Sequence, residues 1–457
     1  MSLETNNRID RIFKAYDVRG RVPDDLDEEI AWRIGFGFAN YLQARKVVIG
    51  YDVRPTSESL TGAFAAGMVA AGSEVSDIGL CGTEEVYFAT FNRNMDGGVM
   101  VTASHNPHGW NGMKLVREEA KPLSGDEGLA EIKALAKQAQ PPADISQPQL
   151  PQLSSRSRFV QHLLTYIDVS QLKPLKIVVN AGNGGAGLVI DALAEFLPFE
   201  FLRINHEPDG SFPNGIPNPL LPENRSVTAN AVREHGADMG VAWDGDFDRC
   251  FLFDENANFV EGYYMIGLLS EQLLARHKGA RIVYDPRCTW NTIEVAKNAG
   301  GVPVLSKTGH AFMKARLRKE NAIYGGEMSA HHYFREFHYC DSGMIPWLLV
   351  AELLSTSGKP LSSFLAGYQQ RFPVSGEINR RVQDPDRLLH DIEVRYSPEA
   401  LNVDYTDGLS VEFEDWRFNL RKSNTEPVVR LNVEARQNLA LLQQKTAELV
   451  SALDAAG

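Results

Sequence analysis

A short apolar run ends in Val101-Thr102-Ala103-Ser104-His105-Asn106-Pro107, where a hydroxyl, an imidazole and an amide stand together. The proline forbids strand or helix to continue, which places Ser104 on an exposed turn at the end of a buried strand. Open α/β sheets keep their chemistry at such strand ends. A second turn, Asp244-Gly245-Asp246-Phe247-Asp248-Arg249, packs three carboxylates and an arginine between apolar Val241-Ala242-Trp243 and Phe251-Leu252-Phe253. Alternate residues of an extended segment share a side, so the three carboxylates are expected to face one way. Two such charges ~4 Å apart repel by ~4 kcal/mol at an effective dielectric of ~20, so the trio needs a cation. Oxygen-only ligands favour Mg2+ or Ca2+ over zinc. The EF-hand pattern fails, because no glycine follows the third aspartate and no glutamate closes the loop. A serine without a metal suggests a hydrolase, yet no Gly-x-Ser-x-Gly elbow surrounds Ser104. A serine with a carboxylate cage, and with Arg249 and Lys114 as further cations, suggests phosphoryl transfer.

Other polar turns carry weaker signals. Gly182-Asn183-Gly184-Gly185-Ala186-Gly187 matches the G-x-G-x-x-G of dinucleotide folds, which supports a rival reading as an NAD-dependent enzyme. The acidic residue expected after the next strand is missing, with Arg203-Ile204-Asn205 in its place and Glu207 late, so a strand-to-helix turn is favoured. Glu327 and Ser329, in Gly326-Glu327-Met328-Ser329-Ala330-His331, can accept from and donate to the vicinal hydroxyls of a sugar. His331 and His332 lack the partners of a zinc site. Lys307-Thr308-Gly309-His310 is another polar turn. Arg421, Ser423, Asn424, Thr425 and Arg430 offer guanidinium, hydroxyl and amide donors suited to anchoring a phosphate that does not react.

The elements that must position these turns repeat. Strand-like runs at Val47 to Gly50, Ile177 to Asn180 and Ile282 to Asp285 each lead into a helix-period segment: Ser59 to Ala71, Leu188 to Leu197 and Thr292 to Ala299. A second strand follows in each unit, at Glu74 to Ile78, Phe199 to Ile204 and Val302 to Ser306. Each unit then closes on a run ending in polar residues, at Gly97 to His105, Met239 to Asp248 and Ile323 to His331. This pattern predicts an α/β protein of three successive αβα layered domains. The Pro- and Gln-rich stretch from Gln138 to Leu153 reads as a linker, with softer boundaries near Asp254 to Gly262 and Arg371 to Gly376. From Phe372 onward, strands at Leu409 to Phe413 and Val428 to Glu434 and a closing helix at Leu439 to Leu453 predict a smaller α+β domain. Loops at the carboxyl ends of the strands are expected to converge on one central cleft.

A formal net charge of -13 argues against nucleic acid as a partner. No apolar run is long enough to cross a bilayer, no signal-peptide core opens the chain, and Cys81, Cys250, Cys288 and Cys340 are scattered. The expectation is a cytoplasmic enzyme with no membrane partner.

Four motifs in order, Thr102 to Pro107, Asp244 to Arg249, Gly326 to Ser329 and Arg421 to Pro427, resemble those of the α-D-phosphohexomutases, and Tyr16-Asp17-Val18-Arg19-Gly20 resembles that family's N-terminal signature. The likeness runs over nearly the whole chain and is greatest to bacterial phosphomannomutases that supply GDP-mannose for surface polysaccharide. It implies mixed sheets in domains at 8–150, 151–256 and 257–370, and a C-terminal domain at 371–457. It also implies a phosphoserine at Ser104 and Mg2+ held by that phosphate with Asp244, Asp246 and Asp248. By the same resemblance Glu327 and Ser329 grip sugar hydroxyls, while Arg421, Ser423, Asn424, Thr425 and Arg430 hold the substrate phosphate. Arg19, Lys114, Arg249, Arg287, Lys307, His310 and His331 form the surrounding polar wall. His105, Lys114 and His331 are the acid–base candidates. Hexose phosphates are the implied partners, with a hexose 1,6-bisphosphate as intermediate and activator, in a monomer or homodimer. Ala103 and Ala330 stand where many relatives have glycine, a change of one methyl each. A dual-specificity glucose/mannose mutase, a sugar phosphatase and a non-catalytic sugar-phosphate sensor are the alternatives, the last disfavoured by an intact Ser104 and three aspartates.

Overall fold

A computed structural model of the chain describes residues 3–125, 127–422 and 428–456. The chain forms two compact units. One takes the chain up to Phe259 together with Glu336–Gly358, the other Val260–Arg335 together with the chain from Lys359 onward.

The first unit holds two sheets. In one, β1 (Val18–Arg21), β2 (Lys46–Tyr51), β3 (Glu74–Leu80), β4 (Gly97–Val101) and β5 (Trp110–Arg117) lie in the order β1-β5-β4-β2-β3. Strands β3 and β4 flank β2 in parallel, and β5 runs antiparallel to β4. In the other, β6 (Lys176–Asn180), β7 (Glu200–Ile204), β8 (Met239–Trp243) and β9 (Cys250–Phe253) lie in the order β7-β6-β8-β9, and β9 alone is antiparallel to its neighbour. The second unit repeats the device: β10 (Arg281–Tyr284) pairs in parallel with β11 (Val302–Leu305) and β12 (Tyr324–Gly326), and β13 (His332–Phe334) returns antiparallel to β12. The expected strands and helices are therefore present, with bounds shifted by one to three residues.

The repeat positions the chemistry. In each case a parallel strand is followed by a hairpin to its antiparallel neighbour, and a candidate motif occupies that connection. Ser104 lies between β4 and β5, the aspartates between β8 and β9, and Glu327 to His331 between β12 and β13. Strands β4 and β8 are buried along their whole length, as apolar runs covered on both faces should be. The helices Glu28–Leu42 and Ser57–Ala70 supply much of the apolar cover of the first sheet, through Ile30, Ile34, Phe38, Leu60 and Phe64.

The C-terminal portion is an antiparallel sheet in the order Ile378–Arg381, Val428–Ala435, Trp416–Lys422, Leu409–Glu412, Asn402–Asp404. The helices Pro385–Tyr396 and Leu439–Asp454 bury Leu388, Ile392, Leu442, Leu449 and Leu453 in its core. Among the described residues no helix is long and apolar enough to cross a membrane.

Candidate active site

The first unit gathers Arg19, Ser104, His105, Lys114, Asp244, Asp246, Asp248 and Arg249. The Ser104 hydroxyl donates to Asp244 Oδ2 at 2.8 Å and lies 3.0 Å from His105 Nδ1. Arg249 donates to Asp244 Oδ2 through Nε (2.8 Å) and Nη2 (2.6 Å), and its Nη2 also donates to His105 Nδ1 at 2.5 Å. Lys114 pairs with Asp246 at 2.6 Å and with Asp248. Arg19 is held by Asp17 at 2.8 Å and donates to the Thr102 carbonyl at 3.1 Å.

Two expectations change here. Ser104 is buried, not exposed, at 4 % of its accessible surface, and its backbone is left-handed, with φ +48°. The buried hydroxyl is spent on Asp244. The aspartates are not an extended ladder either. Strand β8 stops at Trp243, and a tight turn with Phe247 at φ +46° brings the carboxylates together. Glycine makes that turn fit: a Cβ on Gly245 would lie 2.7 Å from the Ser104 carbonyl oxygen, and one on Gly184 would lie 2.6 Å from the Gly245 carbonyl oxygen. The glycine-rich segment is thus the turn from β6 into the helix Ala186–Ala194, placed against the aspartate loop.

The three aspartates are buried and offer ligand oxygens all within 4.8 Å of one another. Asp246 Oδ1 has no hydrogen-bond partner, an open acceptor in a dry setting. An all-oxygen donor set with one carboxylate oxygen unspent fits a hard divalent cation such as Mg2+. Burial raises the Asp244 carboxyl above its ordinary range, against the pull of Arg249. For Lys114, burial works against the charge, but Asp246 and Asp248 outweigh it and hold the ammonium firmly protonated. The loops around the His105 ring, and then the Arg249 guanidinium, hold that imidazole well below its usual range and so neutral.

Sequence reasoning missed the residues behind this site. Asp52 accepts from Thr102 Oγ1 (2.7 Å) and Ser57 Oγ (2.5 Å), and Thr102 Oγ1 accepts from the Ser104 amide at 2.8 Å. Thr83 donates to Asp246 at 2.6 Å. Only Asp52 had a signal, as a lone acid at the carboxyl end of an apolar strand.

The second unit gathers the sugar and phosphate candidates. The Glu327 carboxylate accepts from the Gly309 amide at 2.7 Å and from the Tyr333 hydroxyl, and lies 3.6 Å from His331 Nδ1. Ser329 Oγ lies 3.1 Å from the same nitrogen. Arg287 is gripped by Asp285 (2.6 Å) and Glu377 (2.7 Å), and Glu377 also faces Arg430 at 3.7 Å. Arg421 and Arg430 stand directly opposite one another across two strands, with Asp407 3.6 Å from Arg421. Burial, then Arg287 close by, pulls the Arg421 guanidinium below its ordinary range. Lys307 is exposed, its ammonium 5.5 Å from the Phe312 ring centre, and His310 opens the helix His310–Glu320. Ser423, Asn424 and Thr425 lie outside the described residues. Glu377, Asp285 and Asp407 are further contributors that no spacing announced.

A hydroxyl seated on a carboxylate cage, in a threefold-repeated α/β fold with a separate arginine-bearing C-terminal sheet, defines a phosphoryl-transfer enzyme. Family comparison agrees along the chain. Residues 10–142, 157–258 and 261–372 match alpha/beta/alpha domains I, II and III of the phosphoglucomutase/phosphomannomutase family, and residues 377–451 match its C-terminal domain. The chain belongs to that family and is a phosphohexomutase, an isomerase that transfers a phosphoryl group. It is 58 % identical over 446 residues to a protein named phosphohexose mutases from Xanthomonas campestris pv. campestris, covering 96 % of this chain and 98 % of the relative. It is also 58 % identical over 449 residues to a phosphomannomutase of Salmonella montevideo, covering 97 % and 98 %. A crystal structure of a phosphoglucomutase/phosphomannomutase family protein from Burkholderia thailandensis superposes with a TM-score of 0.87 at 31 % identity, over 100 % of this chain and 98 % of that one. An Aspergillus fumigatus N-acetylphosphoglucosamine mutase variant, solved with glucose 1,6-bisphosphate, shares the fold at a TM-score of 0.60 and 14 % identity, over 100 % of both chains.

Proposed function

We propose that this phosphohexomutase interconverts mannose 1-phosphate and mannose 6-phosphate in the cytoplasm, feeding GDP-mannose and surface polysaccharide synthesis. The hydroxyl of Ser104 bonded to Asp244 carries the mechanism, and five relatives named phosphomannomutase at 55–58 % identity support the sugar. Ser104 works as a phosphoserine. The free hydroxyl of a hexose 1- or 6-phosphate attacks phosphorus, the Ser104 Oγ–P bond breaks, and a hexose 1,6-bisphosphate forms. The sugar reverses, its other phosphoryl group returns to Ser104, and the isomeric monophosphate leaves. The same bisphosphate recharges an enzyme that has lost its phosphoryl group.

Asp244, Asp246 and Asp248, joined by the Ser104 phosphate, would hold Mg2+. When bound, that ion supplies positive charge to the transferring oxygens. Arg249 and Lys114, now paired with the aspartates, add charge beside them, and Arg19 completes the wall. Lys114 is held charged, which leaves His105 and His331 to take the sugar hydroxyl's proton; the His105 Nδ1 lone pair accepts from Arg249 in this structure, so Arg249 must release it first. In the second unit Glu327 and Ser329 orient sugar hydroxyls, with His331, His310 and Lys307 around them. Arg421, Arg430, Arg287 and the Ser423, Asn424 and Thr425 loop retain the phosphate that does not react. Glucose phosphates are a second substrate class, favoured by the joint family name and by the Glu327–Ser329 loop, which suits either sugar.

The test is labelled phosphate. Incubation with hexose 1,6-bisphosphate carrying labelled phosphorus is expected to leave one label per chain, on the peptide containing Ser104. A label that stays in solution as inorganic phosphate would make the protein a phosphatase, and a label on another residue would displace Ser104.

A further inference from the structure

Nothing assigned so far explains how a serine is kept in a left-handed backbone at the end of β4. Such a conformation costs a residue with a side chain roughly 1–2 kcal/mol, and short turns do not hold it unaided. Arg54 lies 50 residues earlier in the chain and is buried to 5 % exposure. Its guanidinium donates to four carbonyl oxygens of the Ser104 loop: Ser104 at 2.9 Å, Asn106 at 2.6 Å, and Pro107 and Trp110 at 3.1 Å each. Its own partner is the buried Asp52, at 3.5 Å, which also fixes Thr102 and through it the Ser104 amide. The Phe212 ring lies 5.4 Å from the guanidinium carbon.

We infer that Arg54 is a positioning residue for phosphoryl transfer: a planar cation that gathers the Ser104 loop's carbonyls and so sets the direction in which Ser104 Oγ points. The inference rests on the reading of Ser104 as the phosphoryl carrier. Only a guanidinium fits this role, because five N–H donors in a rigid fork reach several carbonyls at once, while a lysine ammonium at the same place is a point charge. The Arg54 guanidinium donates to the carbonyls of the loop and pairs with Asp52, so its effect on the hydroxyl passes through the backbone.

Arg54→Lys and Arg54→Ala test this in the full chain with Mg2+ present. The expected result is a fall in kcat of about a hundredfold, the order that a misplacement near 1 Å costs. KM is expected to stay within about threefold, since the groups that bind sugar phosphate are untouched. Amide exchange supplies the reading that activity cannot. The Asn106 and Trp110 amides bond within the loop, to the Ala103 and Pro107 carbonyls, and are expected to exchange at least about tenfold faster. The amides of β2 and β4 are expected to be unmoved, and Arg54→Lys should show the same loss although it keeps the charge. Unchanged exchange in the loop, or unchanged kcat, overturns the inference. Faster exchange spread over the whole sheet overturns it too, because Arg54 would then support only the fold. Loop exchange is read without turnover, so a wild-type chain inactive on hexose phosphates would refute the mutase reading while still deciding whether Arg54 orders the loop.

Discussion

At the scale of single residues, the site is a balance of buried charges. Three buried carboxylates are kept compatible by Lys114, paired with Asp246 and Asp248, and by Arg249, paired with Asp244. Their types and spacing were readable from the sequence, since three aspartates between apolar flanks demand a cation whatever the fold. Their geometry was not, because it comes from a turn with Phe247 left-handed and from two glycines that let three loops touch. Ala330 teaches the same lesson. As a change from glycine it looked like one added methyl, yet its φ is +67°, where an L side chain is strained. Ala330→Gly is therefore expected to raise thermal stability slightly, by about 1 kcal/mol or less, the reverse of an ordinary buried alanine. A loss of about 1 kcal/mol in a denaturation series would show that the methyl's packing outweighs the backbone strain.

At the scale of elements, the hairpin between a parallel strand and its antiparallel neighbour occurs three times and carries a candidate motif each time. The strands and the closing polar turns were legible because buried runs of four to six residues alternate with helix-period segments. The contributors that stayed hidden, Arg54, Thr83 and Glu377, act across sequence distances that no local pattern reports. Glu377 shows what such a residue does. Burial pushes its carboxyl up, but Arg287 and Arg430 draw it down further, so it stays ionised as a counter-charge to the arginines proposed to hold phosphate. Glu377→Gln is expected to tighten binding of inorganic phosphate and of a hexose 6-phosphate by roughly tenfold, about 1.4 kcal/mol, in a calorimetric titration. Binding unchanged or weakened would mean that Glu377 orients the arginines and does not compete for them. Strand β13 carries a different titration. His332 is fully buried with Tyr324 Oη 2.7 Å from its Nδ1, and burial, then His331, lowers its value to about 3. Between pH 6.5 and about 3 the unfolded chain takes a proton that the folded chain refuses, so stability is full above pH 6.5 and falls as the pH drops. His332→Gln is expected to flatten the decline of the melting temperature through that window. Parallel curves for variant and wild type would assign acid sensitivity to other groups.

At the scale of the whole molecule, the net charge of -13 and a substrate that is itself an anion are reconciled by placement. The cations of the candidate site are gathered in two clusters, Arg19, Lys114 and Arg249 in one unit and Arg287, Arg421 and Arg430 in the other, each paired with carboxylates. Ser104 is proposed to relay phosphoryl groups between the two ends of a hexose phosphate. The most direct test is kcat/KM for mannose 1-phosphate and glucose 1-phosphate, with Mg2+ and a trace of hexose 1,6-bisphosphate, for the wild type and Ser104→Ala. The expected result is mannose 6-phosphate as product from mannose 1-phosphate, little or no release of inorganic phosphate, and a loss of about a thousandfold or more in the variant. Near-normal turnover by Ser104→Ala, or stoichiometric release of inorganic phosphate by the wild type, would contradict it.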